Sequence, residues 1–183
     1  MLTEWRRFKG WEILEFFLRK PNTEIHISGL AKELNISKRT SENYLKLYRK
    51  MNILKYKNIA NATIFYLNNA DILVKQLKKA YLLMILKELE FIDKLLSENP
   101  NISNIVIYGS YANGEYSEES DIDFLIISQN KINLDLFEYL EKKLNKKVEV
   151  VDFTIGKWRE LARKKDRFYK SVLNNHINVY GEI

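Results

Sequence analysis

Cysteine is absent from the 183 residues, which excludes disulfides, zinc–thiolate centres and thiol nucleophiles. Histidine is almost absent as well. His26 and His176 lie far apart with no neighbouring ligand pattern, so both are read as structural or solvated. Two prolines and six glycines leave little material for a flexible linker, and no internal repeat or low-complexity stretch occurs. Long apolar runs are missing too. The longest, Ala80 to Leu86, is far short of the roughly 20 residues that span a bilayer. The first 20 residues lack an apolar stretch followed by a small-residue cleavage site, so no signal peptide is expected. These absences lead to the expectation of a soluble, cytoplasmic protein without membrane association. What is present, 46% hydrophobic and 30% charged residues, is the composition of a globular chain with one generous domain or two small ones.

The net charge of +6 is unevenly distributed. Residues 1–70 carry 13 Lys and Arg against six Glu and no Asp, while the remaining 17 Lys and Arg face 18 Asp and Glu. The basic excess therefore belongs to the first 70 residues, where it can attract phosphate polyanions or simply be solvated.

Residues 8–19 show helical apolar spacing, closed by Pro21-Asn22. Trp5, Trp11, Phe16 and Phe17 fit core and interface better than a base-stacking platform. In ISGLAKELNISKRTSENYLKLYRK, two short helices flank the turn Leu34-Asn35-Ile36, since Asn tolerates the left-handed conformation that a tight helix–helix turn needs. Ser37 is the expected N-cap of the second helix. ILKYKN and TIFYLNN then read as a hairpin. Residues 70–98 read as one long connecting helix, stopped before Pro100. It is apolar along Val74, Leu77, Tyr81, Met84, Ile92 and Leu95, and again along Leu82, Ile85, Leu86, Leu89 and Leu96. Two apolar faces need covering on both sides, by the flanking domains or by a second copy in a homodimer.

From Asn101 onward, strand and helix patterns alternate. SNIVIYGS and DIDFLIIS are strands, residues 132–144 an amphipathic helix, and KVEVVDFT a third strand. A basic helical region follows, and HINVYG closes the chain as a short strand. The fold class expected here is α+β or α/β, a mixed sheet with flanking helices.

The first strand delivers Gly109-Ser110, where a glycine admits close phosphate approach and a serine offers a hydroxyl at a helix start. Asp121 and Asp123 flank Ile122 at the head of the second strand, and period two places both carboxylates on one face. Two such charges about 4 Å apart repel by roughly 4 kcal/mol at an effective dielectric near 20. A bare D-x-D is either a solvated turn or a cation site, and with oxygen donors alone the cation is Mg²⁺. Asp152 tips the balance, because an apolar strand rarely spends a central position on an unpartnered charge. Period two turns Glu149 to the face opposite Asp152, where it is expected to be solvated. Three aspartates from two strands beside a Gly-Ser turn fit a two-metal phosphoryl-transfer site.

Gly109-Ser110, ten residues, then Asp121-x-Asp123 resembles the G-S-x10-D-x-D signature of the polymerase-β-like nucleotidyltransferase superfamily. It is most similar to the minimal nucleotidyltransferases often paired with HEPN partners. VVDFT and NHINVYG resemble that family's third-carboxylate strand and its ending, so the resemblance covers roughly residues 99–183. It implies catalytic and metal-holding roles for Asp121, Asp123 and Asp152. It also implies phosphate binding by Gly109 and Ser110, two Mg²⁺ ions, and an NTP, ATP first among them, as substrate. Many relatives carry Arg three residues after the Ser, where this chain has Asn113; Lys157, Arg159 and Arg163 are candidate replacements. Tyr111 and Tyr116 are candidates to stack on the base.

LAKELNISKRTSENYL looks like a winged helix-turn-helix, with Leu30, Ala31, Leu34, Leu45 and Tyr48 inward. Lys38, Arg39, Asn43, Lys46 and Arg49 are then outward, as a helix reading duplex DNA requires, and Lys55 and Lys57 lie in the wing. The expected organisation is a winged helix-turn-helix domain at 1–69, a connecting helix at 70–98 and a nucleotidyltransferase domain at 99–183. The expected activity moves a nucleotidyl group, AMP for example, from an NTP to a hydroxyl on a protein or small molecule. Two rival readings are a DNA-binding regulator that only senses nucleotide, and an antitoxin acting on a HEPN toxin as protein partner.

Overall fold

In the computed structural model, residues 2–183 are described, and they divide into two compact units, one reaching to Met84 and one from Ile85 to Ile183. The first unit opens with α1 (Leu2–Trp5) and α2 (Lys9–Arg19). Along α2, Ile13, Phe17 and Leu18 are completely buried, which is where its helical apolar spacing is used. Glu15 is buried among them, held by the Arg6 guanidinium at 2.8 and 2.5 Å. After β1 (Glu24–His26), α3 (Ile27–Glu33) and α4 (Lys38–Lys50) meet at a turn in which Asn35 has φ 49°. Ser37 caps α4, its hydroxyl accepting from the Thr40 N–H at 3.0 Å. Strands β2 (Leu54–Ile59) and β3 (Ala62–Leu67) form the expected antiparallel hairpin, which turns on Ala60-Asn61. β1 pairs antiparallel with β3, giving the order β1-β3-β2.

The expected single helix over 70–98 is two helices, α5 (Ile72–Glu88) and α6 (Phe91–Glu98), and the boundary between the units falls inside α5. The break needs neither Gly nor Pro, because Glu90 adopts the left-handed conformation (φ 52°, ψ 30°). Such a residue costs about 1–2 kcal/mol. Burying Phe91 and Leu95 beyond the break offsets this, at about 1.5–3 kcal/mol for each side chain.

The second unit continues with β4 (Ile102–Tyr108), α7 (Gly109–Asn113), β5 (Ile122–Ser128), α8 (Asp135–Leu144), β6 (Val148–Thr154), α9 (Ile155–Lys164), α10 (Arg167–Asn174) and β7 (His176–Tyr180). The sheet is mixed. Its order is β6-β5-β4-β7, with β5 and β6 parallel and the other two pairings antiparallel. β5 is apolar on both faces because both are covered. Phe124 packs its ring against Phe91 of α6 and Phe137 of α8 at 5.9 and 5.3 Å. On the other face, Leu125 and Ile127 join Val106, Trp158 of α9 and Val172 of α10. β6 lies at the edge of the sheet, and its outer positions stay open to water. Among the described residues, no helix is long and apolar enough to cross a membrane.

Candidate active site

The chain leaves β4 at Tyr108 and enters α7 through Gly109, whose φ is 69°. That left-handed conformation demands glycine, and a Cβ there would also lie 2.2 Å from Asp123 Oδ2 and push that carboxylate aside. α7 ends at Gly114, also left-handed, and the Glu115 N–H closes back onto the Ser110 carbonyl at 2.9 Å. The Gly109-Ser110 turn and Asp123 are therefore in contact range. The cross-strand pairing of Tyr108 with Asp123 puts them there.

Asp123 is the second residue of β5, and its neighbour on the parallel strand β6 is Glu149. Residues at the same level of neighbouring strands point to the same face, which here is the face covered by α9 and α10. Asp121 precedes the strand on the same side by period two. Lys147 spans the pair, its ammonium 3.4 Å from Asp121 Oδ2 and bonded directly to Glu149 Oε1. Burial, then the charges of Glu149 and Asp121, push the Asp123 carboxyl up to about 6, against the pull of Lys147. Tyr108, on the same face, is pushed up to about 12 by burial and by Asp123 and Glu149. Tyr111 reaches about 12 through burial and Asp121.

Asp152 does not join this group. It stands opposite Ile126, three residues further along the strand and on the face of Phe124, with its side chain exposed. Three strand residues amount to about 10 Å. The desolvation argument for Asp152 fails because β6 is an edge strand, where a carboxylate stays hydrated without a partner. Glu149, expected to be solvated, supplies the third carboxylate of this face. A signal for it exists in the sequence: β5 begins Ile-Asp-Phe and β6 begins Val-Glu-Val, the same acid-second pattern, and parallel register aligns the two.

The other candidates sort themselves by contact. Tyr111 and Tyr116 are buried and stacked on each other at 4.1 Å, which leaves neither as an open platform for a base. Lys157 and Lys164 both pair with Glu160, whose carboxyl falls to about 2, while Arg159 and Arg163 are exposed on the same helix. The buried Asn113 Oδ1 has no hydrogen-bond partner. His176 bonds the Val172 and Leu173 carbonyls through Nδ1, a structural role. In the first unit, Lys38, Arg39, Asn43, Lys46 and Arg49 are all exposed along α4. Lys46 pairs with Glu42 at 2.5 Å and Arg49 lies 3.7 Å over the Tyr56 ring. Lys57 pairs with Glu24 at 2.7 Å.

Among the described residues, no three acidic or imidazole side chains stand close enough to enclose an ion as they are. The donor set nonetheless suits Mg²⁺: all hard carboxylate oxygens, and an excess negative charge that has already drawn in a lysine. Residues 90–181, just over half of the chain, match the family model "Polymerase beta, Nucleotidyltransferase". The chain belongs to this family. Residues 90–181 are its nucleotidyltransferase domain, and the carboxylate face described above lies within it. The chain is 40% identical over 94 residues to "Putative protein adenylyltransferase MJ0604" of Methanocaldococcus jannaschii, covering 50% of this chain and 92% of that protein. It is 41% identical over 64 residues to "Putative protein adenylyltransferase MJ1379" of the same organism, 32% of this chain and 64% of that one. Among solved structures, a toxin–antitoxin crystallised with AMP-PNP overlaps 51% of this chain and 73% of its own, at 23% identity and a TM-score of 0.39.

Proposed function

We propose that this nucleotidyltransferase transfers AMP from ATP to a protein hydroxyl, in a Mg²⁺-dependent reaction on the face carrying Asp121, Asp123 and Glu149. The observation that carries this reading is the placement of Glu149 beside Asp123, whose own carboxylate meets the Gly109 turn. Asp121 and Asp123 would hold two Mg²⁺ ions, with Glu149 completing the site of one of them. Bound Mg²⁺ neutralises charge on the triphosphate and on the leaving pyrophosphate. Gly109 opens the backbone to the phosphates, and Ser110 offers its hydroxyl and N–H at the start of α7. Glu149 is the carboxylate placed to take the proton of the acceptor hydroxyl. The protein acceptor rests on the names of the relatives at 40–41% identity, and a HEPN-type partner toxin is one such acceptor. Incubation with ATP labelled at the α-phosphate, Mg²⁺ and cell extract should label a protein and release pyrophosphate. Neither event occurring would leave a domain that senses nucleotide.

A second reading concerns the first unit, which we propose is a winged helix-turn-helix module for duplex DNA. The order α3, turn, α4, hairpin supports it, as do the exposed Lys38, Arg39, Asn43, Lys46 and Arg49. Affinity for duplex DNA should drop by about 10-fold or more between 50 and 200 mM salt, even if only two or three phosphates are neutralised. Replacing Lys38 and Arg39 by Ala should flatten that slope in a titration followed by fluorescence anisotropy. Binding that ignores salt, or none at low salt, would assign the module to protein contacts instead.

A further inference from the structure

Lys147 enters the strand-initiating turn of β6, with its carbonyl accepting the Ile122 N–H at 2.9 Å, so its backbone is fixed at the head of β5. From there its ammonium reaches both Asp121, just before β5, and Glu149, in β6. Nothing in packing demands this. The Lys147 side chain is 60% exposed and is free to extend into water. It is held where it is by the local charge of three carboxylates, and it supplies the positive charge that their mutual repulsion calls for. A divalent ion between Asp121 and Glu149 would need the same oxygens and the same space.

Resting on the metal-dependent reading above, we propose that Lys147 is an internal counter-ion, occupying the cation position between Asp121 and Glu149 in the metal-free protein and leaving it when a divalent ion enters. Two consequences follow from simple competition. The metal-free site is kept together by a built-in charge, so the three carboxylates do not spread apart while waiting for substrate. The same charge weakens capture of free metal, so metal binds well only when a nucleotide's phosphates accompany it and can receive the displaced ammonium. Lys147 is thus a positioning residue, and its loss should separate metal affinity from nucleotide affinity.

The test uses the full chain and Mn²⁺ without nucleotide, counting free Mn²⁺ by electron paramagnetic resonance. Lys147→Met keeps the length of the side chain and removes its charge. Exposed ion pairs hold only weakly against a competing divalent ion, so freeing two carboxylates should tighten Mn²⁺ binding by about 2- to 30-fold. The nucleotide-free variant should also melt lower than the wild type in chelator and gain more from added Mn²⁺. Lys147→Arg should restore both values toward those of the wild type. If Lys147→Met binds Mn²⁺ no more tightly while the wild type binds it and transfers AMP, displacement is wrong and the enzyme reading stands. If neither protein binds Mn²⁺ and the wild type transfers nothing, both ideas fall together.

Discussion

Glu149→Gln should lower nucleotidyl transfer by at least about 100-fold, because a bound metal supplies several kcal/mol of transition-state charge stabilisation and each 1.4 kcal/mol is tenfold. Asp152→Asn should leave the rate within about twofold, as expected of an exposed substitution away from the site. The contrast depends on a single structural feature, the parallel register that sets Glu149 against Asp123 and Asp152 against Ile126. Glutamine preserves the length and one oxygen of Glu149 but removes the charge and the ion pair with Lys147. Pyrophosphate release at saturating ATP and Mg²⁺, measured for both variants beside the wild type, checks the pair. The reverse result, with Asp152→Asn inactive and Glu149→Gln active, would move the third carboxylate to the other face of the sheet.

Asp123→Asn should abolish transfer and, in the metal-free protein, raise stability. The folded carboxyl ionises near 6, against 3.8 for an ordinary aspartate, because it is half-buried beside Glu149 and Asp121. Below about pH 4 the group is protonated in both states and costs nothing. As pH rises from 4 to 6 the unfolded chain releases this proton first, so the wild type loses stability across that window and keeps the deficit above it. Allowing for solvent screening at a partly exposed group, the deficit is about 1 kcal/mol. The Asn variant lacks that slope. Thermal melts in chelator should therefore coincide near pH 4 and separate by a few degrees at pH 7–8, with the variant higher. Added Mg²⁺ should stabilise the wild type and leave the variant nearly unmoved. A variant less stable than the wild type at pH 8 in chelator would mean that the Asp123 charge is already compensated.

Much of this chain was decided locally. The left-handed backbone of Asn35 and the capping hydroxyl of Ser37 act on residues at most three positions away, so the turn between α3 and α4 could be read directly from residues 34–37. The spacing of Gly109, Ser110, Asp121 and Asp123 is equally local, since one turn and one strand head carry it, and the strand pairing that joins them follows from two apolar runs. The break between α5 and α6 was not legible. Glu90 has no intrinsic preference for the left-handed region, and only the burial of Phe91 and Leu95 beyond it makes that conformation worthwhile.

The third carboxylate shows the limit most clearly. Within KVEVVDFT, period two separates Glu149 from Asp152 but cannot say which of the two faces carries the site, because that depends on which residue of β5 lies alongside. Register and edge position are properties of the assembled sheet. They come from burial of Leu125, Ile127 and Phe124 between two layers of helices, and they decide that Glu149 meets Asp123 while Asp152 faces water.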